Sequence, residues 1–117
     1  MVIVENLVKS EELENIKYFY FYRIIKSKVS LFLKDEEIKV QSYGIEVERQ
    51  DIINGDIVRI ERNYIKNISP ERYKVHKLLK LLRDNSVSPI HLVDVLGEYI
   101  DEYIIDFDNV LKNIAAN

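Results

Sequence analysis

The chain falls into two parts that differ in the period of their apolar residues. Up to residue 68 apolar side chains recur at every second position, as in Val29, Leu31 and Leu33, whereas from residue 69 they recur every three or four positions. A period of two is typical of a β-strand and a period of 3.6 is typical of an α-helix. The pattern predicts a single α+β domain, with an antiparallel β meander over residues 1–68 and a two-helix antiparallel hairpin over residues 69–117 packed on the sheet.

The first part is predicted to contain four or five strands. Residues 18–22, 24 and 25 are aromatic or β-branched and occur at both parities, which indicates a strand covered on both faces. Asn54 and Gly55 stand between two apolar runs and predict a two-residue type I′ turn. The apolar alternation slips by one position before Tyr43, and this slip predicts a β-bulge for which Gly44 supplies a permissive backbone.

The segment over residues 17–33 is too long to form one straight strand inside a compact domain. A straight strand over residues 17–33 would be about 56 Å long at roughly 3.3 Å per residue. A compact domain of this size is only about 35 Å across. We therefore expect this segment to bend or break at the polar residues 26–28.

Both predicted helices begin at a Ser-Pro pair, at residues 69–70 and 88–89, where Ser caps a helix and Pro fits its first turn. The link between the helices is about three residues long, which predicts antiparallel neighbours. Gly97 lies inside the second helix, where glycine costs about 1 kcal/mol relative to alanine. We interpret Gly97 as the position at which the second helix comes close to the first helix or to the sheet.

Composition narrows the class of protein. The chain of 117 residues is 47% apolar and contains no cysteine. This apolar fraction excludes disorder of the whole chain, and the lack of cysteine excludes disulfides, thiol nucleophiles and cysteine-based metal sites. No apolar run approaches the 18 residues of a membrane span, and the first residues lack the pattern of a signal peptide. We expect a soluble cytoplasmic protein with no membrane partner.

Charge is strongly segregated along the second part. Residues 69–88 carry five basic and two acidic side chains, whereas residues 89–117 carry one and six. A basic helix can follow the phosphates of a nucleic acid, although the sequence pI of about 5.4 is low for that role. The other interpretation is that the basic and acidic helices complement each other. The basic row consists of Arg72, Lys74, Lys77, Lys80 and Arg83.

No pattern of residues predicts catalysis or a cofactor. The chain has no glycine-rich phosphate loop and no Gly-x-Ser-x-Gly elbow, and it contains only two histidines. His91, Asp94 and Glu98 share one helix face, but a straight helix presents them in a line rather than around a cation. We expect no enzyme activity, no catalytic residue, no metal site and no cofactor.

The end of the second helix supplies the candidate partner site. A helix over residues 89–114 would be about 39 Å long, so it either breaks near residues 108–109 or overhangs the domain. An overhang would expose an apolar stripe, and such stripes mark protein interfaces, most simply a two-fold dimer. The alternative is that this end folds back and completes the core of the monomer. The stripe consists of Phe107, Val110, Leu111 and Ile114.

The sequence thus predicts a small non-enzymatic interaction or regulatory module. It would bind a protein partner or a second copy of itself through the helical hairpin. The alternative function is a nucleic-acid-binding regulator that uses the basic helix over residues 70–84.

Two stretches of the chain carry a resemblance to a known family. Residues 41–49, QSYGIEVER, and residues 88–101, SPIHLVDVLGEYID, resemble a short bacterial family of unknown function from spore-forming, low-GC bacteria. The resemblance extends from about residue 18 to residue 107. It implies a bacterial cytoplasmic protein and no particular activity.

Overall fold

A computed structural model describes residues 1–116 of the chain. Four antiparallel strands form one sheet in the order β1-β2-β3-β4, and helices follow them. This confirms the predicted class, a four-stranded meander followed by helices. The strands are β1 (Val2–Leu13), β2 (Ile16–Leu33), β3 (Glu36–Ile53) and β4 (Asp56–Ser69). The helices are α1 (Arg72–Asp84), α2 (Leu92–Tyr103) and α3 (Ile105–Ala116), with a 3₁₀ turn at Pro89–His91 before α2.

The core lies between one face of the sheet and the helices α1 and α2. Tyr22 is at its centre and is fully buried. The Tyr22 hydroxyl donates a hydrogen bond of 3.1 Å to the carbonyl of Val87, which ties the loop after α1 to the sheet. Burial raises the pKa of Tyr22, so the phenol remains a neutral donor. The core also includes Tyr20, Ile24, Ile45 and Val47 from the sheet and Val75, Leu78, Leu79, Leu82, Leu92 and Leu96 from the helices.

Along residues 18–24 of β2 the helices cover only one face of the sheet, so the prediction of a strand covered on both faces is wrong there, although Ile25 on the opposite face is buried. Phe19 and Phe21 lie on the face opposite the core tyrosines and are half-buried. Neighbouring strands place Val8, Ile60 and Tyr64 on the same face, where they are about half exposed. We call this surface the open sheet face.

The open sheet face carries a charged network around Glu48. Glu48 is only 3% exposed, although it lies on this face. Arg62 pairs with its carboxylate, Gln50 donates a hydrogen bond of 2.9 Å to it, and Arg23 lies 3.5 Å away. Desolvation raises the pKa of Glu48, but these hydrogen bonds and charges outweigh it and leave the pKa below its usual range. The buried charge is thus satisfied by the sheet itself.

The molecule is elongated, with principal extents of 59 × 22 × 19 Å. Of the bend or break expected at residues 26–28, the break is wrong, because β2 continues without interruption to Leu33. Pairing with β1 ends at Lys26, and pairing of β3 with β4 ends at Tyr43. Residues 27–33 and 36–42 therefore pair only with each other within residues 1–116. We call this projecting two-stranded segment the distal ribbon.

A register shift is found beside Gly44, but the extra residues lie in β4 rather than in β3 as predicted, because β3 pairs with β2 without a shift. Glycine is needed at position 44 for a different reason. The register of β3 and β4 shifts between Tyr43 and Ile45. Gly44 does not have a positive φ. A Cβ atom on Gly44 would instead overlap the backbone carbonyl oxygens of Ile65 and Lys66. The strand β4 thus passes directly against β3 at the one position in this stretch that has no side chain.

The hairpin turns contain two residues each. Asn54 and Gly55 have φ angles of 51° and 83°, which confirms the predicted turn. Lys34 and Asp35 adopt the same left-handed region, with φ angles of 51° and 66°, although neither is glycine. Side chains with a Cβ are strained there, so the turn of the distal ribbon is the weaker of the two.

The helices differ from the sequence-based expectations in where they begin and end. Ser69 is the last residue of β4, and α1 begins only at Arg72. The Ser69 hydroxyl nevertheless accepts a hydrogen bond of 3.1 Å from the amide of Glu71 and so supports the start of the helix. The second helix is interrupted at Ile104, not at residues 108–109. The helices α1 and α2 pack mainly on β2 and β4, respectively, rather than on each other.

The expected close approach at Gly97 is wrong. Apart from its chain neighbours and the backbone of its own helix, no atom lies within 4 Å of the position that a Cβ on Gly97 would occupy, so the residue faces open space. The reason is that α2 turns its leucines, Leu92 and Leu96, toward the sheet, while Gly97 lies on another side of the helix.

Replacing Gly44 by alanine should lower the free energy of unfolding by more than about 2 kcal/mol, because β4 must move away from β3. Gly97→Ala is the matched control and should raise it by up to about 1 kcal/mol, since helix propensity improves and nothing clashes. Urea unfolding followed by circular dichroism measures both. Equal effects of the two substitutions would contradict the close contact at Gly44.

The double substitution Lys34→Asn and Asp35→Gly should stabilise the protein by about 1 kcal/mol, because Asn-Gly adopts the type I′ turn without strain. In the other turn, Gly55→Val should destabilise by more than about 1 kcal/mol. Thermal unfolding of the two variants checks both signs. A double variant that melts at or below the wild-type temperature would show that the turn at residues 34–35 is not strained.

Candidate functional site

An apolar stripe on α2 and its flanks faces solvent. Ile90, Val93 and Ile104 are 72%, 54% and 56% exposed, and Gly97 lies between Val93 and Ile104. These four residues follow one another at spacings of three, four and seven, which places them on one side of the helix. We call them the α2 stripe.

Acidic side chains border the α2 stripe along one edge. Asp94 follows Val93 by one position, Glu98 follows Gly97 by one position, and Asp101 follows Gly97 by four. Each of the three is exposed, and none forms an ion pair within residues 1–116. No lysine or arginine occurs between positions 92 and 111. The stripe is thus an apolar surface beside uncompensated negative charge.

The predicted partner residues on α3 differ in how far they are exposed to solvent. Phe107 is only 6% exposed and lines a cleft of about 440 Å³ with Val29, Leu31 and Asn67. Phe107 therefore packs within the monomer, in keeping with the alternative interpretation that this end completes the monomer's own core. Val110 and Leu111 are half-buried and Ile114 is 42% exposed. Their role in partner binding stays a prediction.

Asp106 fixes the bend between α2 and α3. Both of its carboxylate oxygens accept hydrogen bonds from the Lys74 ammonium, at 2.9 and 2.8 Å. The Ser69 hydroxyl donates a third hydrogen bond, at 3.0 Å. The hydrogen bond to Asp106 raises the pKa of Lys74, which stays charged. Sequence reasoning missed this contact, because it joins residues 32 positions apart.

Three of the five basic residues of α1 are used inside the monomer. Arg72 donates a hydrogen bond of 2.9 Å to the carbonyl of Val4. Arg83 pairs with the neighbouring carboxylate of Asp84 at 3.0 Å. Lys74 holds the bend, as described above. The structure thus does not present the five residues as one free basic row.

Two cations of the predicted row remain available to an external anion. The Lys77 ammonium lies 5.8 Å from the centre of the Tyr73 ring, and Lys80 is exposed without an ion pair in the described part of the chain. Affinity for nucleic acid rises with the number of phosphates that are neutralised. The geometry therefore weakens the case for nucleic-acid binding over residues 70–84.

A comparison with models of protein families identifies the family of the chain. The model of DUF6514 matches residues 1–102. The chain belongs to the DUF6514 family. DUF6514 is a family of unknown function, so membership confirms the sequence resemblance at that level and assigns no activity. The DUF6514 match includes three residues of the α2 stripe, namely Ile90, Val93 and Gly97, and ends before the bend at Ile104. No curated protein and no solved structure matches the chain.

Two further findings concern other kinds of site in this DUF6514 chain. Over residues 1–116, no helix is long and apolar enough to cross a membrane. Over the same residues, no three His, Asp or Glu side chains group in a way that could hold a metal ion.

Asp106→Asn should loosen α3, because it removes the charge that pairs with Lys74. We expect amide hydrogen exchange over residues 105–116 to become about tenfold faster, while β2 and β3 keep their protection. Asp108→Asn is the control, since it removes an exposed carboxylate from the same helix turn. The same acceleration in both variants would show that the ion pair does not hold the bend.

Proposed function

We propose that this chain is a non-enzymatic interaction module that binds a basic amphipathic helix of a protein partner along the α2 stripe. The observation that carries the proposal is the combination, on one helix side, of exposed aliphatic residues, an open glycine and unpaired carboxylates. The proposal keeps the sequence-based interpretation of a helical contact surface and moves that surface from α3 to α2.

The aliphatic residues supply the contact area. Ile90, Val93 and Ile104 are each more than half exposed, although large apolar side chains gain roughly 1.5–3 kcal/mol from full burial. Their spacing along α2 matches the anchors by which one amphipathic helix packs against another. Apolar surface of this kind, rimmed by polar residues, is typical of a protein interface.

Gly97 would allow a partner helix to come close to the backbone of α2. Glycine in the interior of a helix costs about 1 kcal/mol relative to alanine, and no packing within the monomer compensates for this cost. A glycine in the middle of the stripe lets the backbone of a docking helix come nearer than the usual 8–10 Å between helix axes. The open space at Gly97 is therefore a place where a partner helix fits.

The charges select the chemistry of the partner. Asp94, Glu98 and Asp101 border the stripe and have no basic neighbour on α2. A second copy of α2 would bring these carboxylates close to one another, which opposes pairing of the stripe with itself. Lysine and arginine on a partner helix would instead attract and orient it. The partner we propose is accordingly a basic helix from a different protein.

Other sequence-based interpretations remain proposals beside this one. Self-association through Val110, Leu111 and Ile114 uses a separate surface, on α3. A regulatory role by binding alone, in a bacterial cytoplasm, accords with the proposed module. Nucleic-acid binding by α1 has Lys77 and Lys80 as its remaining unpaired cations.

The test uses a synthetic helical peptide that carries leucine at positions i, i+3, i+4 and i+7 and lysine along one edge. We expect it to shift the amide NMR signals of Val93, Gly97 and Ile104 in the full chain. A peptide with glutamate in place of every lysine is the control and should leave these signals unchanged, because its charge matches that of the stripe. Equal shifts with both peptides, or shifts confined to the open sheet face, would refute the proposal.

Gly97→Leu separates binding from folding. The side chain would enter open space, so the variant should remain folded, yet it should bind the lysine peptide at least tenfold more weakly because the partner helix can no longer approach. Lys80→Leu adds the same side chain to an exposed position of α1 and should leave binding unchanged. An unaltered affinity in Gly97→Leu would show that the stripe is not the contact surface. Binding to random DNA that falls steeply with salt and is lost on replacing Lys77 and Lys80 would support the nucleic-acid alternative instead.

A further inference from the structure

The strand β4 has a free outer edge. It is the last strand of the sheet order, and within residues 1–116 it pairs only with β3. At the opposite edge of the sheet, by contrast, the Arg72 side chain donates a hydrogen bond of 2.9 Å to the carbonyl of Val4 in β1. An edge strand presents backbone groups to which another strand can add. The β4 edge is therefore a candidate site for pairing with another chain.

The hairpin turn determines which backbone groups of β4 point away from the sheet. Ile53 and Asp56 flank the two-residue turn, so they form a hydrogen-bonded pair. Because the direction of the backbone groups alternates along β3, the residue four positions before Ile53 also bonds to β4, where its partner is Glu61. The neighbours of Glu61 in β4, Ile60 and Arg62, consequently direct their N–H and C=O groups outward.

Tyr64 gives an independent observation of this alternation. Its amide donates a hydrogen bond of 2.9 Å to the side-chain oxygen of Asn63, as expected for an amide that points away from β3. The side chains at the outward-pointing positions are open, since Ile60 and Tyr64 are 47% and 57% exposed. A cleft of about 420 Å³ lies along residues 60–63 beside Pro89. The edge is thus accessible along this segment.

Two copies of one edge strand can pair about a two-fold axis perpendicular to the sheet. The strands are then antiparallel, and positions of the same parity lie opposite each other on the same face. The centre of the pairing decides which side chains meet. A centre at Arg59, Glu61 or Arg62 would place two like charges directly opposite each other, which is destabilising.

A pairing centred on Ile60 is the register that the charges favour. It places Ile60 opposite Ile60 of the second copy, and it places Arg59 of each copy opposite Glu61 of the other. Among centres from residue 59 to residue 63, it alone combines opposite charges with no opposed like charges. Arg59 and Glu61 already form an ion pair within each copy, so the dimer would join four charges of alternating sign.

The course of α2 is compatible with this pairing. The carbonyl of Pro89, just before α2, accepts a hydrogen bond of 3.2 Å from Asn63, and Asp106, just after α2, accepts one of 3.0 Å from Ser69. The helix α2 therefore runs along β4 from residue 63 toward residue 69, away from Ile60. About the axis at Ile60, the two α2 helices would extend in opposite directions, so their acidic side chains stay apart.

We propose that two copies of this chain pair through their β4 edges, centred on Ile60, into one sheet of eight strands that carries its helices on one side. The extra residue Val58 in β4 interrupts the regular edge, so the pairing is short and the dimer dissociates reversibly. This interface uses no residue of the α2 stripe. It is also separate from α3, the other surface for which self-association is proposed.

Sedimentation equilibrium of the full chain tests the dimer, and we expect a reversible monomer–dimer equilibrium. Arg59→Glu should weaken association about tenfold, because it places glutamates opposite each other across the axis. Combining Arg59→Glu with Glu61→Arg should restore most of the association, since the pairs form again with reversed polarity. Lys34→Glu, on the turn of the distal ribbon, changes the net charge by the same amount and should leave association unchanged.

Several outcomes would overturn the β4 dimer. One is a wild-type chain that stays monomeric, and another is a double variant that associates as weakly as Arg59→Glu. Species larger than dimers would also overturn it, because they would indicate pairing of β4 with β1 of a further copy, which does not close. Loss of the dimer in Ile114→Asp, with Arg59→Glu unaffected, would assign the association to α3 instead.

Cysteine variants test the register, because the chain contains no cysteine of its own. In a hydrogen-bonded pair of antiparallel strands the Cα atoms are about 5.5 Å apart, which is within the range of a disulfide. Mild oxidation of Ile60→Cys should therefore give a covalent dimer. Tyr64→Cys, four positions along the same edge, is the matched control and should not cross-link, because its two copies would lie about 27 Å apart. Equal cross-linking in both variants, or none in Ile60→Cys, would refute the register.

Discussion

The passage of the β4 backbone against Gly44 is the contact on which most other features depend. On one side of it the sheet has four strands and carries the core beneath α1 and α2. On the other side β2 and β3 continue alone as the distal ribbon. The same crossing brings Lys66 toward the middle of β2 and delivers Ser69 to the carboxylate of Asp106. A single position without a side chain thus divides the molecule into a packed body and a projection.

The projection explains the position of the last helix. A two-stranded ribbon is marginally stable by itself in water, and it gains stability when another element covers it. Phe107 supplies such cover where it meets Val29 and Leu31 near the base of the ribbon. The bend at Ile104 directs α3 toward the ribbon, and the pair formed by Lys74 and Asp106 holds it there. In α3 Phe107 is buried within the monomer, whereas Ile105 and Ile114 are exposed, as are the residues on the outer side of α2.

Features with a local signal could be predicted from the sequence. The Asn54-Gly55 turn, the slip in alternation at Gly44 and the change of period after Ser69 are each encoded within a few residues. The uninterrupted length of β2 could not be predicted, because the estimate of size assumed a nearly spherical domain and this one is elongated. The contact between Lys74 and Asp106 depends on residues distant in the chain. The helical period of the apolar residues in α2 was visible in the sequence, but which of these residues face the sheet and which face solvent required the structure.

The two-residue turns also bear on how the chain reaches this structure. Each strand pairs with the next across a connection of two residues, so the ordering of the sheet requires very little loop-closure entropy. Hairpins of this kind form within about 1–10 μs. The bonds from Tyr22 to Val87 and from Lys9 to Arg83, by contrast, close loops of 65 and 74 residues. The fold thus combines strand pairing that is local in sequence with helix docking that is distant in sequence, and distant contacts are the slower kind to form.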